Sequence, residues 1–175
     1  NGFVGKNINQ KFNNCLNLKR DGVYKNNKKT YSNLLDCINK EHIDTIFNCA
    51  VSYNENSLEE LEDINFQLPK QIIENTKNNN IKVILFGSFF EKENKSYMFN
   101  YVSSIRKLSN YLKNLDNKNI YHLTLEHIYG KYDRLNKFIP SVVRNIKERN
   151  KILLNSPNNL RDFTPVDHVV NFCKI

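Results

Sequence analysis

The opening run Asn1-Gly2-Phe3-Val4-Gly5 sets two glycines around two apolar residues, just ahead of a stretch with helical spacing. A turn of this kind binds a dinucleotide when one glycine makes the bend, a second lets the backbone approach the pyrophosphate and a third packs helix on strand. Only two of the three are visible. The first glycine and its strand would fall before Asn1. A helix start that contains glycine and has no function carries the same local signature, so the run gains meaning only from the rest of the chain. The other reactive groups form no pattern. Cys15, Cys37, Cys49 and Cys173 are scattered without a C-x-x-C pair, and no His/Cys/Asp cluster has metal-ligand spacing, which leaves His42 and His122 as surface or core residues. Cys49 lies in an apolar segment, where a thiol behaves as a small hydrophobe; this cysteine usage fits a reducing cytoplasm.

Elements that could position such a turn alternate along the chain, the pattern of a parallel sheet covered by helices, an α/β architecture. Spacing predicts a helix from Gly5 to about Asn14, a brief strand Cys15–Leu18, a polar loop from Lys19 to Thr30, a helix Tyr31–Lys40 and an apolar strand from Asp44 to Ala50. Leu58, Leu61, Ile64, Leu68, Ile72 and Ile73 mark a long helix from about Ser57 to Lys77, with Ser57 as N-cap, Glu60 as its capping-box partner and Pro69 arguing for a kink or break. Val83-Ile84-Leu85-Phe86, ending in Gly87-Ser88, is the most apolar run and suits a strand buried on both faces. Beyond it come a helix from Tyr97 to Asn114, a strand Tyr121–Leu125 closed by Tyr129-Gly130, a helix Phe138–Lys147, a short strand Lys151–Leu154 and a last helix beginning at Asp167.

With 175 residues and 39% apolar content, the chain can bury one ordinary core. Lys+Arg 26 against Asp+Glu 18 gives +8, but the charges are interspersed, and Asn is the commonest residue at 31. That bias points to an AT-rich genome and discounts the net charge as a sign of nucleic-acid binding; no stripe of aromatic and basic residues supports it either. No apolar run reaches the roughly 18 residues of a membrane helix, and no signal-peptide pattern opens the chain. The expectation is a soluble cytoplasmic protein, with both ends cut from a longer one.

Taken together and in order, Gly2-Phe3-Val4-Gly5, Phe47-Asn48-Cys49-Ala50, Asn65, Gly87-Ser88, Tyr101, Tyr129-Gly130 and Arg161-Asp162-Phe163 with Val166-Asp167 resemble the NAD(P)-dependent sugar-nucleotide epimerases, dehydratases and reductases, the extended short-chain dehydrogenase/reductases. The resemblance covers essentially the whole chain. Ser88-Phe89-Phe90 and the run Leu125-Glu126-His127-Ile128-Tyr129-Gly130 with Lys137-Phe138-Ile139-Pro140 look most like CDP-hexulose reductases of the CDP-abequose synthase kind. What this implies is a Rossmann-type, doubly wound parallel sheet that lacks its first strand and most of a C-terminal substrate lobe, the lobe starting near residue 130.

By the same resemblance, Gly2, Phe3, Val4 and Gly5 border the pyrophosphate of NADP or NAD, Asn48, Cys49 and Ala50 line the cofactor at a strand end, and Tyr101 and Ile128 border it too. Arg20 stands where a cation can meet a 2′-phosphate, which favours NADP; a solvated Arg in a basic loop is the alternative. His127, Phe138 and Arg161 are implied for a nucleotide-diphosphate sugar, Arg161 pairing bidentately with the diphosphate. A hydrogen-bonded strand-end histidine and an Arg161–Asp162 pair are the structural alternatives. Ser88 and Tyr101 are implied as catalytic. The family's two long helices dimerise, so a homodimer is expected.

One departure bears on activity. The family's lysine four positions after the catalytic tyrosine shares its helix face, where it holds the ribose and lowers the phenol's pKa, but position 105 is Ile. Arg106 points about 140° away from the direction of Tyr101, and Lys107 is six positions on. An alkyl side chain can neither stabilise a phenolate nor donate to a ribose, so either an impaired enzyme or a nucleotide-binding module without catalysis is expected. His168, where relatives often carry an acid, is a second departure.

Overall fold

The computed structural model describes residues 2–18, 24–25, 28–29, 32–77, 80–92 and 98–174. In chain order the elements are α1 (Phe3–Lys11), β1 (Tyr24–Lys25), β2 (Lys28–Lys29), α2 (Ser32–Lys40), β3 (Thr45–Asn48), α3 (Leu58–Glu62), a π turn (Asp63–Gln67), α4 (Leu68–Thr76), β4 (Lys82–Ser88), a 3-10 turn (Phe89–Glu91), α5 (Phe99–Lys113), β5 (Ile120–Leu125), β6 (His127–Tyr129), α6 (Phe138–Lys147), β7 (Phe163–Pro165) and α7 (Val166–Phe172). The chain divides into two compact units, one of Leu16–Leu125 and one of Asn1–Cys15 with Glu126–Ile175.

In the Leu16–Leu125 unit, β3, β4 and β5 form a parallel sheet with β4 in the middle, in register Asn48↔Leu85 and Ser88↔Leu125 at its C-terminal edge. The apolar run of β4 occupies the place its composition demands, because Val83, Ile84 and Leu85 are at most 1% exposed. Val83 and Leu85 pack with Ile38 of α2, Ile72 and Ile73 of α4 and Leu108 of α5. Truncating one such side chain to Ala costs about 2–5 kcal/mol. The lysine- and asparagine-rich stretch read as a loop contains the two-residue antiparallel pair β1–β2.

Ser57 caps α3 as its spacing predicts: its Oγ accepts from the Glu60 amide at 3.2 Å. The Glu60 carboxylate reaches Ser52 Oγ at 3.0 Å and Asn54 Nδ2 at 2.9 Å. Pro69 distorts the long helix without ending it. A proline owes its helix an amide it lacks. The backbone widens into the π turn just ahead, and the helix runs on without a gap through Pro69 in α4.

In the unit built from the chain ends, α1 packs against α7, and β6 pairs with β7 in parallel, His127 opposite Phe163 and Tyr129 opposite Pro165. Gly130 turns the chain after β6 at φ 144°, and a Cβ there would lie 2.6 Å from Val166 Cγ1. Position 130 therefore needs glycine for both conformation and space. Two expected strands do not form. Cys15–Leu18 and Lys151–Leu154 are irregular, with Leu16 54% and Leu153 78% exposed. Their side chains have the right character, but among the described residues no strand pairs with either to supply the ladder that a strand requires. Among the described residues no helix is long and apolar enough to cross a membrane.

Candidate active site

The C-terminal edge of the three-stranded sheet opens into a recess lined by Asn48 at the end of β3, Ala50 just beyond it, Gly87 at the end of β4, and Glu91, Tyr101, Ile105 and His122 around them. Open parallel sheets bind their ligands at this edge. Ser88 and Tyr101 meet here, the Tyr101 side chain interacting with those of Ser88 and Tyr53. The Tyr53 and Tyr101 rings lie 4.8 Å apart, centroid to centroid.

Tyr101 is 3% exposed and sits in the first turn of α5. Burial above all, then Tyr53, and further the charge of Glu91, push its hydroxyl well above the ordinary phenol value, while the Ser88 hydrogen bond acts the other way. The phenol is thus held protonated at neutral pH. No cation lies at the family's lysine position: Ile105 is 7% exposed and packs with Leu61, Tyr101 and Val102. The neighbouring cations serve elsewhere, Arg106 Nε donating to the Glu91 carbonyl at 3.0 Å and Lys107 pairing with Glu62.

Two polar residues place Tyr101, and only one of them, Asn65, was visible in the sequence. Glu55, from the loop after β3, receives the Tyr101 amide at 2.8 Å and the Asn100 amide at 3.1 Å through its two carboxylate oxygens, so an acid seven residues past β3 caps α5. This satisfies orphan amides and sets negative charge at the helix's positive end. Asn65, in the π turn, receives the Ser52 amide at 2.9 Å and donates to the Ser52 carbonyl at 2.9 Å and to Ser104 Oγ at 3.0 Å. It ties the loop after β3 to α5. Asn65 stood among the sequence features of the resemblance, whereas Glu55 left no local signal.

The remaining candidates divide between the two units. Asn48 Oδ1 receives the Ala50 amide at 3.3 Å, both residues line the recess, and Cys49 between them is half-buried. Arg20 lies outside the described residues. In the other unit, Gly2 is the N-cap of α1 with φ −73°, no side-chain cap bond forms there, and no acid occupies the first turn. A Cβ built on Gly2 has nothing within 4 Å. Phe3, Val4 and Gly5 form that first turn. Ile128 is half-buried on β6. His127 and Phe138 both meet Phe163, each with centroids 5.5 Å apart, while Arg161 is exposed with Nη1 donating to the Leu160 carbonyl at 3.1 Å. Among the described residues no group of three or more His, Cys, Asp or Glu is arranged to hold a metal.

Comparison with known proteins gives this arrangement its family: residues 1–175 match the NAD dependent epimerase/dehydratase family model throughout. The chain belongs to that family. Among curated members of the epimerase/dehydratase family, it is 28% identical over 195 residues to a CDP-abequose synthase of Salmonella typhimurium, an alignment covering 97% of this chain and 65% of that protein. The chain thus spans somewhat under two thirds of that relative's length. Among solved structures, it matches an ADP-L-glycero-D-manno-heptose-6-epimerase of Helicobacter pylori with a TM-score of 0.68 and 18% identity, over 97% of this chain and 67% of the other. It also matches a dTDP-glucose 4,6-dehydratase of Bacillus anthracis, crystallised with NAD, with a TM-score of 0.64 and 18% identity, over 97% and 66%. These likenesses establish the Rossmann-type α/β fold of the epimerase/dehydratase family, as the alternation of elements predicts.

Proposed function

We propose that the chain is the greater part of a cytoplasmic, NAD(P)-dependent nucleotide-sugar oxidoreductase that reduces a 4-keto sugar carried on a nucleoside diphosphate, CDP favoured, for surface-polysaccharide synthesis. The observation that carries this reading is the buried Tyr101 beside Ser88 at the recess on the sheet's C-terminal edge. Membership of the family and the likeness to a CDP-abequose synthase support the cofactor and substrate class. Four free cysteines fit a reducing compartment. In this reading the chain is a Rossmann domain with the start of a substrate lobe from about residue 130, and its two long helical stretches make it a homodimer.

The residues present fit a dinucleotide. The open start of α1, with free space at Gly2 and no acid in the first turn, suits a pyrophosphate. NADP over NAD rests on Arg20. A bound nicotinamide supplies the hydride. Tyr101 donates its proton to the sugar's carbonyl oxygen as that oxygen becomes an alkoxide, and Ser88 holds the same oxygen by a hydrogen bond. A phenol kept protonated by burial can give a proton to an alkoxide but is a poor base, so the site favours reduction of a ketone over oxidation of an alcohol. His127, Phe138 and Arg161 are the proposed contacts to the nucleotide sugar.

Ile105 sets the rate. Loss of a positioned acid–base partner costs about 10²–10⁴ in rate, so turnover should be slow, and Ile105→Lys should raise NAD(P)H oxidation with a CDP-4-keto sugar by a factor of that order. An unaltered chain already as fast as the variant refutes impairment. A second reading, a nucleotide-binding module without catalysis, is favoured by the same buried Ile105; it predicts dinucleotide binding with no turnover in either form.

A further inference from the structure

Glu91 is a buried acid that the proposed chemistry does not use. Its side chain is 8% exposed, in the 3-10 turn that follows Ser88. A carboxylate removed from water is stable only where donors replace that water. Two hydrogen bonds and one neighbouring imidazole take that place, each from a different element. The Ser88 amide donates to Oε1 at 2.7 Å from the end of β4, Ser109 Oγ donates to Oε2 from α5, and His122 Nε2 stands 3.5 Å from Oε1 on β5. Burial, the largest single influence, pushes the carboxyl up, but the neighbouring His122 imidazole and the hydrogen bonds from Ser109 and the Ser88 amide outweigh it and hold the group below its ordinary value.

This convergence explains the glycine that ends the apolar run of β4. A Cβ on Gly87 would collide with Glu91 Oε1 and His122 Nε2, so only glycine lets the two side chains cross the strand there. The crossing lies at the recess, whose wall includes Gly87, Glu91, Tyr101 and His122. Ser88 is fixed from both sides: its Oγ accepts from the Phe90 amide at 3.4 Å while its own amide is held by Glu91. The charged or titratable groups facing Glu91 are His122 from β5, Tyr101 from α5, and Arg106, also from α5, whose Nε binds the Glu91 carbonyl.

We propose that Glu91 is the positioning residue of the Ser88–Tyr101 pair, clamping the end of β4 to α5 and β5 so that the serine hydroxyl meets the phenol. The assignment deepens the reductase reading, and its test needs neither cofactor nor substrate. The probe is the chain itself, labelled with 13C at tyrosine Cζ and with 15N, Tyr101→Phe identifying the Tyr101 signal. Glu91→Ala removes both acceptors and should shift the Tyr101 Cζ resonance and cut hydrogen-exchange protection of the Ser88 amide at least tenfold. Glu91→Gln keeps an acceptor for the amide and should restore both signals most of the way, a rescue that mere filling of space would not give. Should Glu91→Ala fail to fold, acid titration of the unaltered chain decides: the Ser88 amide and Tyr101 Cζ should move together, with one midpoint below 4.5, and stay still in Glu91→Gln. Ser88 and Tyr101 signals unmoved in a folded Glu91→Ala chain, or unmoved through that titration, overturn the assignment. Absent turnover with these shifts intact would count only against the reductase reading.

Discussion

The helices α1 and α5 begin in opposite ways. The first turn of α1 has glycine at its N-cap, no side-chain cap and no acid, whereas α5 is closed by the Glu55 carboxylate on two of its amides. A helix start is a positive end with unsatisfied donors, so each arrangement states where an anion belongs. At α5 the chain brings its own anion and thereby fixes Tyr101. At α1 no side chain caps the start, no acid occupies the first turn and a Cβ on Gly2 has nothing within 4 Å, which suits a start that receives a ligand's phosphates. One helix end is built for precision and the other for exchange.

Breaking the closed end should have the largest effect on stability. Asn65→Ala strips partners from Ser52 and Ser104 in a buried place and should cost about 3 kcal/mol in urea denaturation, because each unsatisfied buried group costs about 1–3 kcal/mol. Glu55→Ala leaves two amides of α5 without their acceptor and should cost about 2 kcal/mol, with Glu55→Gln recovering part of it. Acid sharpens the picture at Glu91. Its folded value is lowered, so its contribution is complete above the ordinary 4.5 and is lost as pH falls through the lower folded value; Glu91→Gln should flatten that limb of the stability profile. The smallest effect belongs to Leu160, 92% exposed, where Leu160→Ser should change stability by less than about 0.5 kcal/mol.

Local patterns were legible in the sequence where a single segment carries its own reason. The run Val83–Phe86 could only be a buried strand, and α6 begins and ends where its spacing placed it, at Phe138 and Lys147. Pro69 announced a break, though not that the chain would absorb it as a π turn. What was not legible is nonlocal. The strands β6 and β7 are three residues each and exist only by pairing with each other across more than thirty residues of chain. Cys15–Leu18 and Lys151–Leu154 have strand-like side chains, but among the described residues neither joins a sheet. Within the site, Ser88 and Tyr101 came from the family pattern, and the structure does bring their side chains together. Glu55, Glu91 and His122 are single polar residues with no spacing signal, and their roles arise only when β4, β5 and α5 converge. Gly87 was visible as a small residue at a strand end, but its reason is the Glu91–His122 crossing above it.

The contrast between the two helix starts is tested most directly at Gly2, where φ −73° and the free space around a Cβ admit an aspartate. Titrate NADPH and NADH into the unaltered chain and into Gly2→Asp, following nucleotide fluorescence, and measure the melting temperature of both. An N-cap Asp improves on Gly by a few tenths of a kcal/mol, so the variant should melt no lower, yet its carboxylate should repel the pyrophosphate and weaken binding at least tenfold. Equal binding by both chains, or no binding of either dinucleotide by the unaltered one, would contradict a cofactor-receiving start at α1.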